Sequence, residues 1–426
     1  MRPQALWLVA ALAVASGSAS VRAAEIALGG NVESLLAFAR ERHPELAAMR
    51  HEAQAADERV GPAGALPDPM FGIELRNFTN EGGVNAGGSP NLLPPRIGET
   101  RYTVTQALPW FGKRDLRRDL AQAEGAAAAG RAAATWAELA WQIKQTYALH
   151  HLQTASLKFG QENLDLLAQL GQITQVRYAN GLAAQQDVIR AQTERIALQS
   201  ELALLAGEAE QTAVRMRALL GQPPNVRLLP AERLRTLPAA AELNLPALEA
   251  RLHERNPRLA TETARIDAAE KARALTYRER YPDVNVGIAA MQERNRLTSY
   301  DLMFEINIPL QQESRRARER EAERMLDAAQ ARKLAAQQQV GAELAASLAA
   351  LTSARQVEAL VSNSLLPQAE LTLQAALAGY ETGKVDFAAV LDAQRQIRKA
   401  KEDWARARVL QQQRLADIER AIGEDL

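Results

Sequence analysis

Residues 41–47 have the sequence ERHPELA, and a close copy, ERNPRLA, occupies residues 254–260. Four more segments recur in the same order: PDPMFGI at 67–73 and PDVNVGI at 282–288, LP at 108–109 and IP at 308–309, YANG at 178–181 and YETG at 380–383, VIRAQ at 188–192 and VLDAQ at 390–394. From the last pair onward the two copies stay in register without gaps to Gly221 and Gly423. Matches in a fixed order indicate a duplicated unit of about 200 residues.

Composition narrows the functional classes. The 426 residues include 51 basic and 51 acidic side chains, so no net charge attracts nucleic acid. The absence of cysteine excludes disulfides, thiol catalysis and iron–sulfur sites. Only 4% of the residues are aromatic, and alanine is abundant, which favours long helices rather than an enzyme built around a packed pocket. No phosphate-binding loop, nucleophile elbow or acid–base pair is found, so we expect neither an enzyme nor a bound cofactor.

The N-terminus predicts export. Residues 1–23 read as a signal peptide, because Arg2 is followed by the apolar run 6–15 and by a small-residue cleavage site at 21–23. The alternative is a membrane anchor, but the run is about half of the ~20 residues that a spanning helix needs. No later stretch approaches 18 apolar residues, so any membrane crossing must be made by strands.

Each copy has the same predicted order of helix, two strands and two long helices. The first copy covers 24–221, with strands at about 70–78 and 100–108 and a helical hairpin at 113–221. A proline-rich linker covers 222–246. The second copy covers 247–426, with strands at about 284–290 and 299–308 and a helical hairpin at 313–423. Alternating apolar and polar residues, clearest at 300–308, give these strands two different faces.

Four strands are too few to span a membrane alone. A sheet in lipid has no open edge, and known membrane barrels need about eight strands. If these strands span, several chains must share one barrel. The alternative is a pair of small soluble hairpins on a helical domain.

With these features the chain resembles the TolC-like outer-membrane efflux factors. The likeness lies in the two helix starts at 43–46 and 256–259, the Pro-Asp strand entries, and the hairpin tips at 177–188 and 380–393. The segment 106–114, QALPWFGKR, resembles the heavy-metal, CzcC-like and CusC-like branch. The resemblance implies an α+β membrane protein: a homotrimer with a 12-stranded outer-membrane β-barrel continued by a periplasmic α-helical barrel of coiled-coil helices.

The resemblance also implies function and partners. The chain would be the passive outer-membrane channel of a tripartite efflux system, contacting outer-membrane lipid, a periplasmic membrane-fusion adaptor and an inner-membrane RND-type pump. Heavy-metal cations are the expected substrates. Drug efflux, type I secretion and a soluble periplasmic coiled-coil scaffold remain alternatives, because the sequence does not identify the cargo.

Site residues follow from the same likeness. Tyr178, Gly181, Tyr380 and Gly383 are expected to dock the adaptor at the tips, although both glycines also suit a plain turn. Tyr380 and Asp392 are expected to narrow the periplasmic entrance, where three Asp392 carboxylates would favour cations. Val385 and Ala389 replace the arginine and first aspartate of the family gate, so its resting state is left open.

Two further expectations concern the membrane and metals. Trp110 and Phe111 are expected in an aromatic belt at the membrane interface, with packing at the junction as the alternative. We expect no metal site, because the adjacent His150 and His151 point in different directions on a helix and no other histidine has ligand spacing.

Overall fold

The computed structural model of the protein describes residues 29–76, 99–231, 233–293 and 296–426. The predicted signal peptide at 1–23 and the last two positions of the predicted first strand lie outside the described residues. In the first copy the elements are α1 Val32–Arg42, α2 Pro44–Glu58, α3 Val60–Gly64, β1 Met70–Arg76, β2 Glu99–Leu108, α4 Lys113–Ala179 and α5 Gln185–Leu219. In the second copy they are α6 Leu245–Arg255, α7 Pro257–Arg278, β3 Val284–Glu293, β4 Arg296–Ile306, α8 Gln312–Leu360, α9 Leu366–Glu381 and α10 Phe387–Ile422.

The repeated ERxP segments end one helix and begin the next. Pro44 and Pro257 occupy the first turn of α2 and α7, where a missing N–H costs nothing. Asn256 also caps α7, because its side chain accepts a hydrogen bond of 2.9 Å from the Leu259 amide. Each proline packs against the glycine that follows the last helix of its copy: a Cβ on Gly423 would lie 2.7 Å from Pro257 Cδ, and one on Gly221 would lie 2.9 Å from Pro44 Cδ. In each copy, the ERxP segment near its start therefore lies against the glycine at its end.

The long helices set the dimensions of the chain. The 67 residues of α4 run without interruption, for a length of about 100 Å. The corresponding helix of the second copy is divided by a π turn at Val361–Leu365, just before Pro367. Proline lacks the N–H of a regular helix and its ring crowds the preceding turn, which accounts for the local widening. Within the part of the chain that the structure describes, no helix is long and apolar enough to cross a membrane.

The four strands form one antiparallel sheet in the order β1-β2-β3-β4. The β2 and β3 strands pair from Leu108 with Val284 to Glu99 with Glu293, and this pairing joins the two copies. The β3 strand extends three residues beyond the predicted 290, and β4 begins three residues before the predicted 299. Both differences lie next to the connection between β3 and β4, where polar residues obscure the alternation. At its other end, β4 stops at Ile306, two residues before the predicted 308.

Each copy has its own core near the middle of the long helices. In the first copy, residues of α1, α4 and α5 pack together, including Leu35, Ile143 and Met216. In the second, residues of α6, α8 and α10 pack in the same way, including Leu248, Leu344 and Ile422. A third cluster, at the hairpin tips, is shared by both copies: Leu167, Leu170, Ala191, Leu198, Tyr380, Phe387, Val390 and Leu391.

A buried ion network fastens the two copies to the linker. Glu419 on α10 is 3% exposed and accepts from Lys144 Nζ on α4 at 2.7 Å. Arg235 in the linker binds both Glu419 carboxylate oxygens, at 2.9 and 2.8 Å. Burial alone would lower the pKa of Arg235, but these two hydrogen bonds raise it above its usual value. The C-terminal residues join the same network, since the Leu426 amide donates to Glu419 at 3.0 Å and Asp425 pairs with Lys144.

Candidate functional site

One face of the sheet is apolar and exposed. Phe71, Val104, Ile288 and Leu302 lie side by side across β1, β2, β3 and β4. Leu302, in the middle of β4, leaves 64% of its surface uncovered. Exposed apolar residues above and below this row belong to the same face: Ile73, Leu108, Tyr300, Phe304 and Ile306. A single soluble chain rarely exposes a contiguous apolar patch of this kind.

The opposite face carries the charged side chains of the sheet, organised around Arg101, together with Met70, Met291 and Met303. The Arg101 guanidinium lies 4.0 Å from Glu74 on β1 and 3.8 Å from Asp301 on β4. To reach β4 it extends across β3, where Gly287 and the fully buried Ala289 leave room. The sheet therefore presents hydrocarbon on one side and charges on the other.

Both edges of the sheet are open within one chain. The β1 strand pairs only with β2, and the β4 strand pairs only with β3, among the strands that the structure describes. Exposed apolar residues continue to these edges at Phe71 and Phe304. An edge of this kind is a template for another strand.

The strands meet the long helices at an aromatic junction. Trp110 stacks on Tyr281, with ring centres 5.5 Å apart and planes 7° from parallel, and Phe111 meets Trp110 edge-on at 5.8 Å. Asp283 fixes this corner by accepting from the Trp110 amide and from Lys113 Nζ, both at 2.8 Å. Trp110 is thus packed within the junction, whereas Phe111 is almost fully exposed.

At the opposite end of the helices, the structure places Tyr380 in the core. The family resemblance predicts that Tyr380 docks the adaptor and narrows the entrance, but only 5% of the residue is exposed within one chain. It packs on Phe387, with ring centres 5.5 Å apart, and its hydroxyl lies 3.4 Å from the Thr174 hydroxyl of the first copy. Within one chain, Tyr380 holds the two hairpins together rather than offering a contact surface.

Arg177 covers the Tyr380 ring on its solvent side. Its guanidinium carbon lies 4.8 Å above the centre of the Tyr380 ring, a cation–π geometry. Its Nη1 also donates to the Glu381 carbonyl at 3.2 Å, which links α4 to the end of α9. Arg177 and Phe387 lie within the tip segments 177–188 and 380–393, whereas Thr174 lies outside them. The sequence predicts no contact among these three residues, because nothing in it shows that the two tips touch.

The remaining docking residues lie at the surface. Gly383 turns the chain between α9 and α10 with φ +73°, and Gly181 does so between α4 and α5 with φ +71°. A side chain added at Gly181 would meet no atom within 4 Å, and one at Gly383 would meet only the Arg177 guanidinium at 4.0 Å. Tyr178 is exposed beside the first turn. Three of the four predicted docking residues are therefore open to a partner.

Asp392 lies on a groove of about 610 Å³ between α5 and α10. Arg395 also lines the groove, 2.9 Å from Glu194 Oε1 and 3.6 Å from the Asp392 carboxylate. The hydrogen bond from Arg395 holds the pKa of Glu194 below its usual value. The Asp392 side chain is mostly exposed, but Arg395 partly offsets its charge.

Among the described residues, no three His, Asp or Glu side chains lie close enough together to hold a metal ion. His151 instead contacts the Ala231 carbonyl at 2.7 Å, and burial lowers its pKa.

Comparison with known proteins gives both a family and a fold. The family model of the outer membrane efflux protein matches residues 35–222 and 249–424. The cobalt-zinc-cadmium resistance protein CzcC of Cupriavidus metallidurans is 24% identical over 375 residues, covering 87% of this chain and 84% of CzcC. The pyoverdine export outer membrane protein OpmQ of Pseudomonas putida is 25% identical over 414 residues, covering 92% and 85%.

Solved structures agree on the fold. The structure of CusC superposes with a TM-score of 0.77 at 18% identity, covering 92% of each chain. At this identity the likeness concerns the fold alone, which is that of TolC-like channels.

Proposed function

Because the chain belongs to the outer membrane efflux protein family, we propose that it is the outer-membrane channel of a tripartite efflux system and conducts substrate passively to the exterior. The observation that carries this proposal is the sheet, which has one exposed apolar face, one charged face and two open edges. Apolar residues suit the lipid, and the Arg101 face suits a water-filled lumen. Helices of about 100 Å continue from the sheet as a tunnel wall in the periplasm.

The open edges support a trimer. In lipid, every backbone N–H and C=O needs a partner, so the free edge of β1 must pair with the β4 edge of another copy. Four strands cannot close a barrel, since known membrane barrels have about eight or more. Three copies supply twelve strands, the number that the family resemblance implies. The long helical hairpins of the three copies then surround one tunnel.

Divalent heavy-metal cations are the proposed substrates. The match to CzcC, a cobalt-zinc-cadmium resistance protein, supports this substrate class, as does the QALPWFGKR junction at 106–114. Three Asp392 carboxylates near the periplasmic entrance would favour cations, even with Arg395 beside each of them. The match to OpmQ, which exports pyoverdine, favours a second candidate, an organic siderophore-like substrate.

A deletion strain separates the two candidates. If the channel exports metal, loss of this chain should lower the tolerated concentration of cobalt, zinc or cadmium salts severalfold, and the full-length chain should restore it. Tolerance to organic antibiotics and secretion of siderophore should change little. Unchanged metal tolerance together with reduced siderophore secretion would overturn the metal proposal and support the organic one.

The hairpin tips are the proposed contact with the adaptor, which would couple the channel to an inner-membrane RND-type pump. Tyr178, Gly181 and Gly383 are open at this end, while Tyr380 and Arg177 hold the two tips in fixed relation. A bare glycine backbone lets the helices of a partner approach closely.

Gly383→Asn tests docking against a simple turn. Asparagine adopts the positive φ of position 383 with little strain, so the variant should fold and assemble. If the bare backbone docks the adaptor, export should still fall about tenfold or more, measured as metal tolerance of the complemented deletion strain. Wild-type tolerance with Gly383→Asn would show that glycine serves only the turn. Asn180→Gly in the first tip is a control for general loosening of a turn.

A further inference from the structure

We infer that the junction between β4 and α8 binds the headgroup of an anionic phospholipid in the periplasm-facing leaflet of the outer membrane. This inference rests on the proposed membrane position of the sheet. A groove of about 320 Å³ lies where β4 passes into α8. Its lining changes over a few residues from apolar, at Ile308 and Leu310, to basic, at Arg315 and Arg318.

The apolar end of the groove continues the lipid-facing side of the sheet. Ile308 follows Phe304 and Ile306 at every second position, and all three are exposed. Leu310 leaves 81% of its surface uncovered. An acyl chain lying along β4 would cover these side chains and end at the groove.

The basic end offers two guanidinium groups and no carboxylate. Arg318 is exposed and, among the described residues, has no hydrogen-bond or ion-pair partner. Arg315 donates to the Glu279 carbonyl through Nη1, while its Nε is buried without a hydrogen-bond acceptor. The nearby Glu319 is already paired with Arg280. Guanidinium groups with free donors are well suited to a phosphate oxygen.

The groove lies along the sheet at the position expected for lipid headgroups. In the sheet, Leu108, Val284 and Ile306 lie in one row at the end nearest the helices. The Trp110–Tyr281 stack and the exposed Phe111 follow directly beyond this row. Aromatic rings gather at the membrane–water interface, and basic residues just beyond it attract anionic lipid.

Lipid binding to the purified full-length chain tests this inference. The protein would be extracted from the outer membrane in mild detergent, delipidated, and titrated with phosphatidylglycerol or phosphatidylcholine under native mass spectrometry. Arg318→Gln should weaken binding of phosphatidylglycerol about fivefold, the effect expected for one basic residue near an anionic surface. Arg320→Gln, two residues further on the same helix and outside the groove, should leave binding unchanged. Leu310→Ser should weaken both lipids, and inorganic phosphate at millimolar concentration should not displace them.

Several outcomes would overturn the inference. Equal binding of the two lipids, or equal loss in Arg318→Gln and Arg320→Gln, would show only general attraction to the surface. Displacement by inorganic phosphate would indicate a free-anion site. If Arg318→Gln keeps its lipid but loses the oligomer, the groove is a contact between copies of the chain instead of a lipid site. The proposed channel fails separately, if the wild-type chain is absent from the outer-membrane fraction.

Discussion

Replacing Glu419 with leucine is expected to lower the free energy of unfolding by about 3–5 kcal/mol. Glu419 is the ion-pair partner of the linker residue Arg235, and Lys144 has Glu419 as its buried partner beside the exposed Asp425. Their side chains are largely buried, so water cannot take over the role of Glu419. Denaturant unfolding of the detergent-extracted protein, followed by circular dichroism, measures the change.

Two controls make the result specific. Glu201→Gln removes an exposed carboxylate of α5 that pairs with Arg398 of α10. This change should lower the free energy of unfolding by at most about 1 kcal/mol. Combining Glu419→Leu with Lys144→Met and Arg235→Met should recover much of the lost stability, because no buried charge is then left without a partner. If Glu419→Leu unfolds like the wild type, the network does not hold the linker and the two copies together.

The second large effect is expected in the sheet. Leu302→Lys should cost about 2–4 kcal/mol and prevent membrane insertion, because it places a charge on the apolar face near the middle of β4. The amount of protein in the outer-membrane fraction, and its resistance to extraction with carbonate, measure this effect.

Asn285→Lys is the matched control on the opposite face. Its new ammonium would lie on the polar side of β3 near Glu305, which is 3.5 Å from the Asn285 side chain. Insertion should therefore be normal. Equal loss of insertion in both variants would mean that the two faces do not see different surroundings, which would contradict the lipid-facing assignment. Normal insertion of both variants would also contradict the assignment of the Leu302 face to lipid.

Repetition and alternation allowed much of the fold to be predicted. The ERxP segments mark helix starts because proline is favoured there, and the structure shows these prolines packed on Gly221 and Gly423. The strands follow from period-two alternation, which depends only on neighbouring residues. Both signals are local, so a sequence displays them directly.

Contacts between segments distant in the chain could not be predicted from the sequence. The tip motif predicts docking and entrance roles for Tyr380, but its burial depends on contacts with Thr174 and Arg177, which lie in the other copy. The π turn at Val361–Leu365 was also missed, since Pro367 alone does not distinguish a bulge from a kink.

Equivalent positions of the two copies contact the linker through different chemistry. Glu419 corresponds in the gap-free register to Arg217, a residue of opposite charge. Yet both hold the linker: Arg217 donates to the Val226 carbonyl at 2.7 Å, and Glu419 binds Arg235. A shared task is thus performed with different chemistry, and comparison of the two copies alone cannot find it.

The proposed channel requires several copies of the chain to close one barrel, and this requirement can be measured directly. Native mass spectrometry of the protein extracted from the outer membrane, supported by electrophoresis of unheated samples, determines the number of chains. We expect a complex of three chains that resists mild detergent and separates on heating. A monomer found in the soluble periplasmic fraction would contradict the channel and support a coiled-coil scaffold.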